Sequence, residues 1–340
     1  MQNKEMFAGL RVLELASVLA GPSVGQFFAE LGAQVTKIEN PQTGGDVTRS
    51  WRSADEPTDD RSAYFCCCNW GKQSVLLNLA KAEDSAALMK LVANTDVVIA
   101  SYKPGDAEKL GVAYEQLRSI NQRLIYGQIT GYGNDDDRVG YDAVLQAETG
   151  FMDLNGQKEG PPTKMPVALI DVLAAHQLKE ALLLALLHRE RTGEGGWVEV
   201  SLVQSALASL ANQATNWLVG KRLPQRQGSA HPNIAPYGDV FETKDRKQAL
   251  LAVGSDRQFE DLVEVLGLGD SDLGSFATNQ HRVQNREALK VLLSAKIKEV
   301  NAADLMAAFV AKKIPGGLIQ NVEGALAMPA AREILLENNG

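Results

Sequence analysis

The stretch from Leu10 to Glu39 constrains the fold more than any other part of the chain. Residues 10–15 (LRVLEL) read as a short buried strand and residues 34–39 (QVTKIE) as a second. Between them ASVLAG leads into a helix with Pro22 at its start and Gly32 at its end. A strand, turn, helix and strand this close together form a parallel pair, which predicts an α/β sheet whose first turn faces a ligand. The turn reads Ala20-Gly21-Pro22-Ser23-Val24-Gly25 rather than G-x-G-x-x-G, and Pro22 removes an amide that would cradle a pyrophosphate. This argues against a dinucleotide site, and leaves Glu39 as a solvated strand terminus.

Further strands are expected at 74–79, 97–100 and 124–129, with a helix over 82–93 and a helical pattern starting at Tyr141-Asp142. Between them, residues 44–72 are polar and irregular, carrying Trp51, Tyr64 and Trp70, and read as a functional or poorly ordered loop. Lys103 and Lys109 fall just past the end of a strand, where open α/β sheets bind ligands. The acidic run Asp135 to Asp137 reads as a solvated loop tip.

Residues 164–202 carry the acid of greatest interest. Asp171 opens about twenty residues that are apolar on nearly every side and end at His188, Arg189 and Arg191, followed by Gly193, Gly195 and Gly196. The pattern predicts a buried helix with an acid at its N-terminus, then a strand in WVEVSL. Asp171 has two readings. It is an N-cap, for which Asp is among the best residues, or a nucleophile kept ionised by the positive helix end. A long amphipathic helix is expected over 204–218.

Composition changes at Gly220, where GKRLPQRQGSAHPNIAPYG reads as a linker. A hairpin over 237–243 and 249–254 and helices at 257–266, 286–300 and 302–312 follow. The expected divisions are 1–220, 221–318 and a short return segment, 319–340. A net charge of −8 argues against nucleic acid, and no apolar run is long enough for a membrane span. The N-terminus has no apolar signal core, so cytosol is the default. Cys66, Cys67 and Cys68 lack metal spacing and read as small buried hydrophobes, and no metal is expected.

Taken in order, VLELASVLAGPSVGQFFAELGAQVTKIENP, GGDVTRSW, Asn69-x-Gly71-Lys72, KPGDAEKLG, RLIYGQITGYG, GYDAVLQAETG, the Asp171 helix with RERTGEGGWVEVSL, and APYGDVFETKD resemble the family III CoA transferases from about Leu10 to Met328. The resemblance implies an interlocked homodimer, with a Rossmann-like large domain, a small α+β domain, and CoA at the strand ends. CoA or acyl-CoA is then a substrate rather than a tightly bound cofactor, and its co-substrate is a small carboxylic acid. The family's catalytic aspartate falls on Asp171. CoA contacts fall on Ser17, Val18, Leu19, Ala20, Lys72, Lys103 and Lys109. Tyr141 and Asp142 fall beside the thioester, with Trp51 and Tyr64 shaping the acyl site.

Leu19 stands where formyl-CoA transferase has glutamine, and no glycine-rich loop is evident near 228–238, which argues against formyl or oxalyl substrates. The runner-up is an α-methylacyl-CoA racemase. That branch pairs the aspartate with a histidine where Tyr141 stands here, and a phenol is a poor base at neutral pH. A CoA-binding protein without turnover, with Asp171 only a cap, is the third reading.

Overall fold

A computed structural model describes residues 5–56, 61–269 and 273–336. Six strands, β1 (Arg11–Leu15), β2 (Gln34–Glu39), β3 (Gln73–Leu76), β4 (Val97–Ala100), β5 (Ile125–Thr130) and β6 (Gly196–Ser201), form one sheet in the order β3-β2-β1-β4-β5-β6. Every pairing is parallel. The chain leaves β1 toward β2 on one side and returns to β4 on the other. The segments leaving the neighbours β1 and β4 therefore run to opposite sides, opening a crevice past the C-terminal ends of the two strands at the topological switch point.

Burial on both faces explains the run of apolar residues in β4, where Val97 to Ala100 are fully buried. One face packs the Ala20–Glu30 and Leu169–Thr192 helices through Val24, Phe28, Ala174, Leu178 and Leu182. The other is covered by Leu88, Val92, Val112 and Leu117.

The long helix differs from its sequence expectation in two ways. Only one side is buried by this chain, since Leu183, Leu184 and Leu187 are exposed. It starts at Leu169 with Ala168 as the N-cap residue, so Asp171 occupies the third helical position and makes no capping hydrogen bond. Gly193 ends the helix with φ 80°, as expected. The helix expected over 204–218 is two, Leu202–Ala208 and Asn212–Leu218, because Ala211 has φ 48°.

Residues 1–152 and 164–220 form one compact unit, and residues 153–163 and 221–340 a second. The segment 153–163, expected in the large domain, therefore belongs with the second unit. So do residues 319–336, which were expected to return to the first. The second unit has its own antiparallel sheet, β7 (Tyr237–Glu242), β8 (Gln248–Ala252) and β9 (Gly316–Leu318), packed with helices around Phe241, Phe259, Leu293 and Phe309. Asp245 in the β7–β8 turn accepts the Ala302 amide at 2.8 Å, tying the hairpin to the Ala302–Lys312 helix.

Candidate active site

A cavity of about 320 Å³ lies at the switch point, walled by the turns after β1, β4 and β5 and by the start of the Asp171 helix. Ser17, Val18, Leu19, Ala20, Lys103, Tyr141, Asp142 and Asp171 all line it. The structure thus gathers eight of the sequence-predicted residues from four separate segments.

Asp142 begins the Asp142–Glu148 helix and reaches across to the Asp171 helix. Its Oδ1 accepts the Ile170 amide at 2.8 Å, and its Oδ2 accepts Gln146 Nε2 at 2.7 Å. Gln146, fully buried, also accepts the Met165 amide at 2.8 Å and so fixes the approach to the helix. The capping role offered to Asp171 is therefore filled from outside. Among the described residues the Asp171 carboxylate accepts no hydrogen bond, although it is only 8 % exposed. Burial, aided by the nearby Asp142 carboxylate, pushes its pKa up to about 7. An acid of this kind is in reach of both protonation states at neutral pH.

The turn after β1 is held from below by buried charges. Lys37 pairs with Glu14 at 2.8 Å and Asp46 at 2.9 Å, and donates to the Ala16 carbonyl at 2.7 Å. Asp46 Oδ1 accepts the Val18 amide at 3.3 Å, and Cys68 Sγ donates to the Val18 carbonyl at 3.4 Å. These partners hold Val18 at φ 72°, a conformation a β-branched residue rarely adopts. The opposite wall depends on glycine. A Cβ on Gly131 would sit 2.8 Å from the Gly140 Cα, so the two backbones can meet only without side chains, which closes the loop delivering Tyr141 and Asp142.

Four predicted residues do not line this cavity. Lys72 is buried against Glu14 at 2.7 Å, Pro22 and Asn69, so its ammonium is spent inside the protein and burial holds its pKa down. Lys109 is exposed and pairs with Asp106 at 2.9 Å. Trp51 and Tyr64 meet edge to face with centroids 5.1 Å apart. Tyr64 is nonetheless near: burial first, then the Asp171 charge, push its phenol up to about 12.

Other expectations change as well. Glu39 is buried rather than solvated; burial opposes its charge, but Arg49, Ser74 and the Asp46 amide hold it at about 2. Of the three cysteines only Cys68 is buried, because Cys66 and Cys67 end a short exposed turn of helix. Within the acidic run read as a loop tip, Asp136 borders the cavity and pairs with Arg138 at 2.9 Å. Arg138 lines the cavity and was missed, because a basic residue beside three acids looks like ordinary surface. Lys103 forms no ion pair among the described residues, leaving it available to a ligand's negative charge.

No histidine borders the cavity. His176 and His188 are exposed on the long helix, and His231 and His281 lie in the second unit. The paired base of a racemase is therefore not among the lining residues. Among the described residues no cluster of acids, histidines and cysteines suits a metal, and no helix is long and apolar enough to cross a membrane.

Comparison with known proteins matches the CoA-transferase family III over residues 7–336. The succinate–glutarate CoA-transferase of Agrobacterium fabrum is 40 % identical over 335 residues, covering 96 % of this chain and 83 % of that one. The human succinyl-CoA:glutarate CoA-transferase is 33 % identical, covering 97 % and 75 %. A crystal structure of a CAIB/BAIF family protein from Brucella suis superposes with a TM-score of 0.84 at 39 % identity, covering 96 % and 87 %. With a family match spanning nearly the whole chain and relatives this similar along most of their own length, the chain belongs to the family III CoA transferases and is a CoA transferase.

Proposed function

We propose that Asp171 carries CoA between two carboxylic acids by covalent catalysis. The observation that carries this reading is a buried carboxylate facing the cavity without a hydrogen-bond partner, its structural duty taken over by Asp142. The Asp171 oxygen attacks the thioester carbonyl of an acyl-CoA, the C–S bond breaks, and CoA leaves as thiolate from a mixed anhydride. The thiolate then attacks the aspartyl carbonyl, releasing the donor acid and leaving an aspartyl-CoA thioester. An acceptor carboxylate repeats the sequence in reverse, and Asp171 is regenerated. Anhydride and thioester both stay reactive enough to pass the group onward, which an ester or amide would not.

Unlike a carboxylate that caps its own helix, Asp171 surrenders no hydrogen bond when it attacks. Lys103 and Arg138 provide positive charge for the CoA phosphates or a substrate carboxylate. The relatives named for succinate and glutarate support short dicarboxylic acids as donor and acceptor. Exposed Leu183, Leu184 and Leu187 support the dimer, since an apolar helix face of this kind is ordinarily covered.

The test is intact mass spectrometry after incubation with succinyl-CoA and hydroxylamine. A hydroxamate at Asp171 supports the covalent route. Turnover of succinyl-CoA with glutarate but no adduct at Asp171, even in a rapid quench, would sink it.

A further inference from the structure

Among the described residues the Asp171 carboxylate has no hydrogen-bond partner, so its aim is set by the turn of helix that carries it. That turn is held at Ile170, whose amide donates to Asp142 Oδ1 at 2.8 Å. Asp142 is held in its turn by Gln146, one helical turn further along the Asp142–Glu148 helix. Gln146 is fully buried and does not border the cavity, so the transfer chemistry leaves it without an assigned part.

Three contacts dictate the residue type here. The Met165 amide donates to Gln146 Oε1 at 2.8 Å, so that atom must be an acceptor. Nε2 then faces two acceptors, Asp142 Oδ2 at 2.7 Å and the Val167 carbonyl at 3.4 Å. One acceptor and two donors at the end of a side chain of this length describe a primary amide. Glutamate would set a second carboxylate against Asp142, and an apolar side chain would leave the Asp142 oxygen and the Met165 amide unpaired. The Met165 and Val167 contacts also pin the segment that enters the Asp171 helix. Gln146 thus fixes the helix start twice, through the Asp142 cap and through the residues leading into it.

We infer that Gln146 is a positioning residue for the transfer reaction: it holds the first turn of the Asp171 helix so that the carboxylate points at the thioester carbonyl. It touches neither substrate nor reacting atoms, and it acts on the rate of attack rather than on the hold on CoA. This role rests on Asp171 being the nucleophile. Geometry sets the scale, since moving a reacting group by about 1 Å costs on the order of a hundredfold in rate.

The experiment is rapid-quench acylation of the full-length protein by succinyl-CoA, read as adduct at Asp171 and normalised to the CoA-binding protein counted by calorimetry. Gln146→Met keeps the length and bulk of the side chain but neither its donors nor its acceptor. The expected result is roughly hundredfold slower acylation at saturating succinyl-CoA, with CoA affinity unchanged. A packing role alone would give another pattern, a lower melting temperature or fewer competent molecules with the parent rate in each. Gln146→Glu serves where the methionine variant does not fold. It keeps the acceptor for Met165 and sets two carboxyl groups at hydrogen-bond distance, one of which holds a proton until alkaline pH. With that shared proton Asp142 stays on the cap; once it is lost, repulsion drives the pair apart. The parent rate should rise to about pH 7 with Asp171 and then stay level, whereas Gln146→Glu should give a bell-shaped profile. Tyr64, Tyr102, Lys103, Asp136, Arg138 and Tyr141 surround the site in both proteins, so the alkaline fall belongs to position 146. A parent protein that turns over without an adduct sinks the nucleophile itself. An adduct in the parent with parent-like acylation in Gln146→Met, or a level alkaline limb in Gln146→Glu, overturns the role of Gln146 alone.

Discussion

The Asp142 carboxylate accepts the Ile170 amide hydrogen at 2.8 Å, one residue before Asp171 in the same first helical turn. One acid thus caps the helix while the next is left for chemistry. The two are not interchangeable, because only Asp142 has its oxygens committed to neighbouring donors.

Replacing Asp171 by Asn should lower CoA transfer by roughly a thousandfold or more and abolish hydroxamate formation. The same variant should be more stable at pH 8. The folded-state pKa, about 7, lies above the unfolded 3.8, so the native protein holds the proton more tightly and loses stability as pH rises between these values. The advantage of the variant should be absent near pH 3, grow up to pH 7 and then level off at on the order of 4 kcal/mol. Thermal melts of both proteins across this range check the sign.

The rate of acylation should follow the same ionisation. Only the Asp171 carboxylate attacks, so single-turnover rates should rise about tenfold per pH unit below neutrality and flatten above about 7. A flat profile from pH 5 to 8 would contradict the burial of this acid.

Asp142→Ala should act on both properties. Loss of the cap should destabilise the protein by roughly 1–2 kcal/mol in urea titrations. Removal of the neighbouring negative charge should move the acidic limb of the rate profile to lower pH, since Asp142 is a named cause of the raised Asp171 value.

The lysines should separate cleanly. Lys103→Ala should raise the KM for acyl-CoA roughly tenfold while leaving the melting temperature unchanged, since its ammonium makes no ion pair among the described residues. Lys72→Met should do the reverse. It leaves Glu14 with Lys37 alone in a buried setting, so stability should fall by the roughly 3 kcal/mol typical of breaking a buried pair, seen as a lower melting temperature.

Much of this was legible in the chain itself. The alternation of strand, glycine or proline, and helix predicts the parallel α/β unit, because side-chain period and turn chemistry are local properties. Strands β1, β2, β4 and β5 lie within a residue or so of their predicted positions. The prominence of Asp171 was also local, as a lone acid at the head of a long apolar helix. What sequence could not decide was which acid caps, which cation is free and which thiol is buried. Lys72 and Lys103 are equally basic by composition; only the fold brings Glu14 against one and leaves the other at the cavity. Asp171 and Asp142 are both helix-start acids in the chain, and only their approach across 28 intervening positions assigns the cap to one and leaves the other buried at the cavity without a hydrogen bond. Such choices depend on contacts between distant segments, which no local pattern encodes.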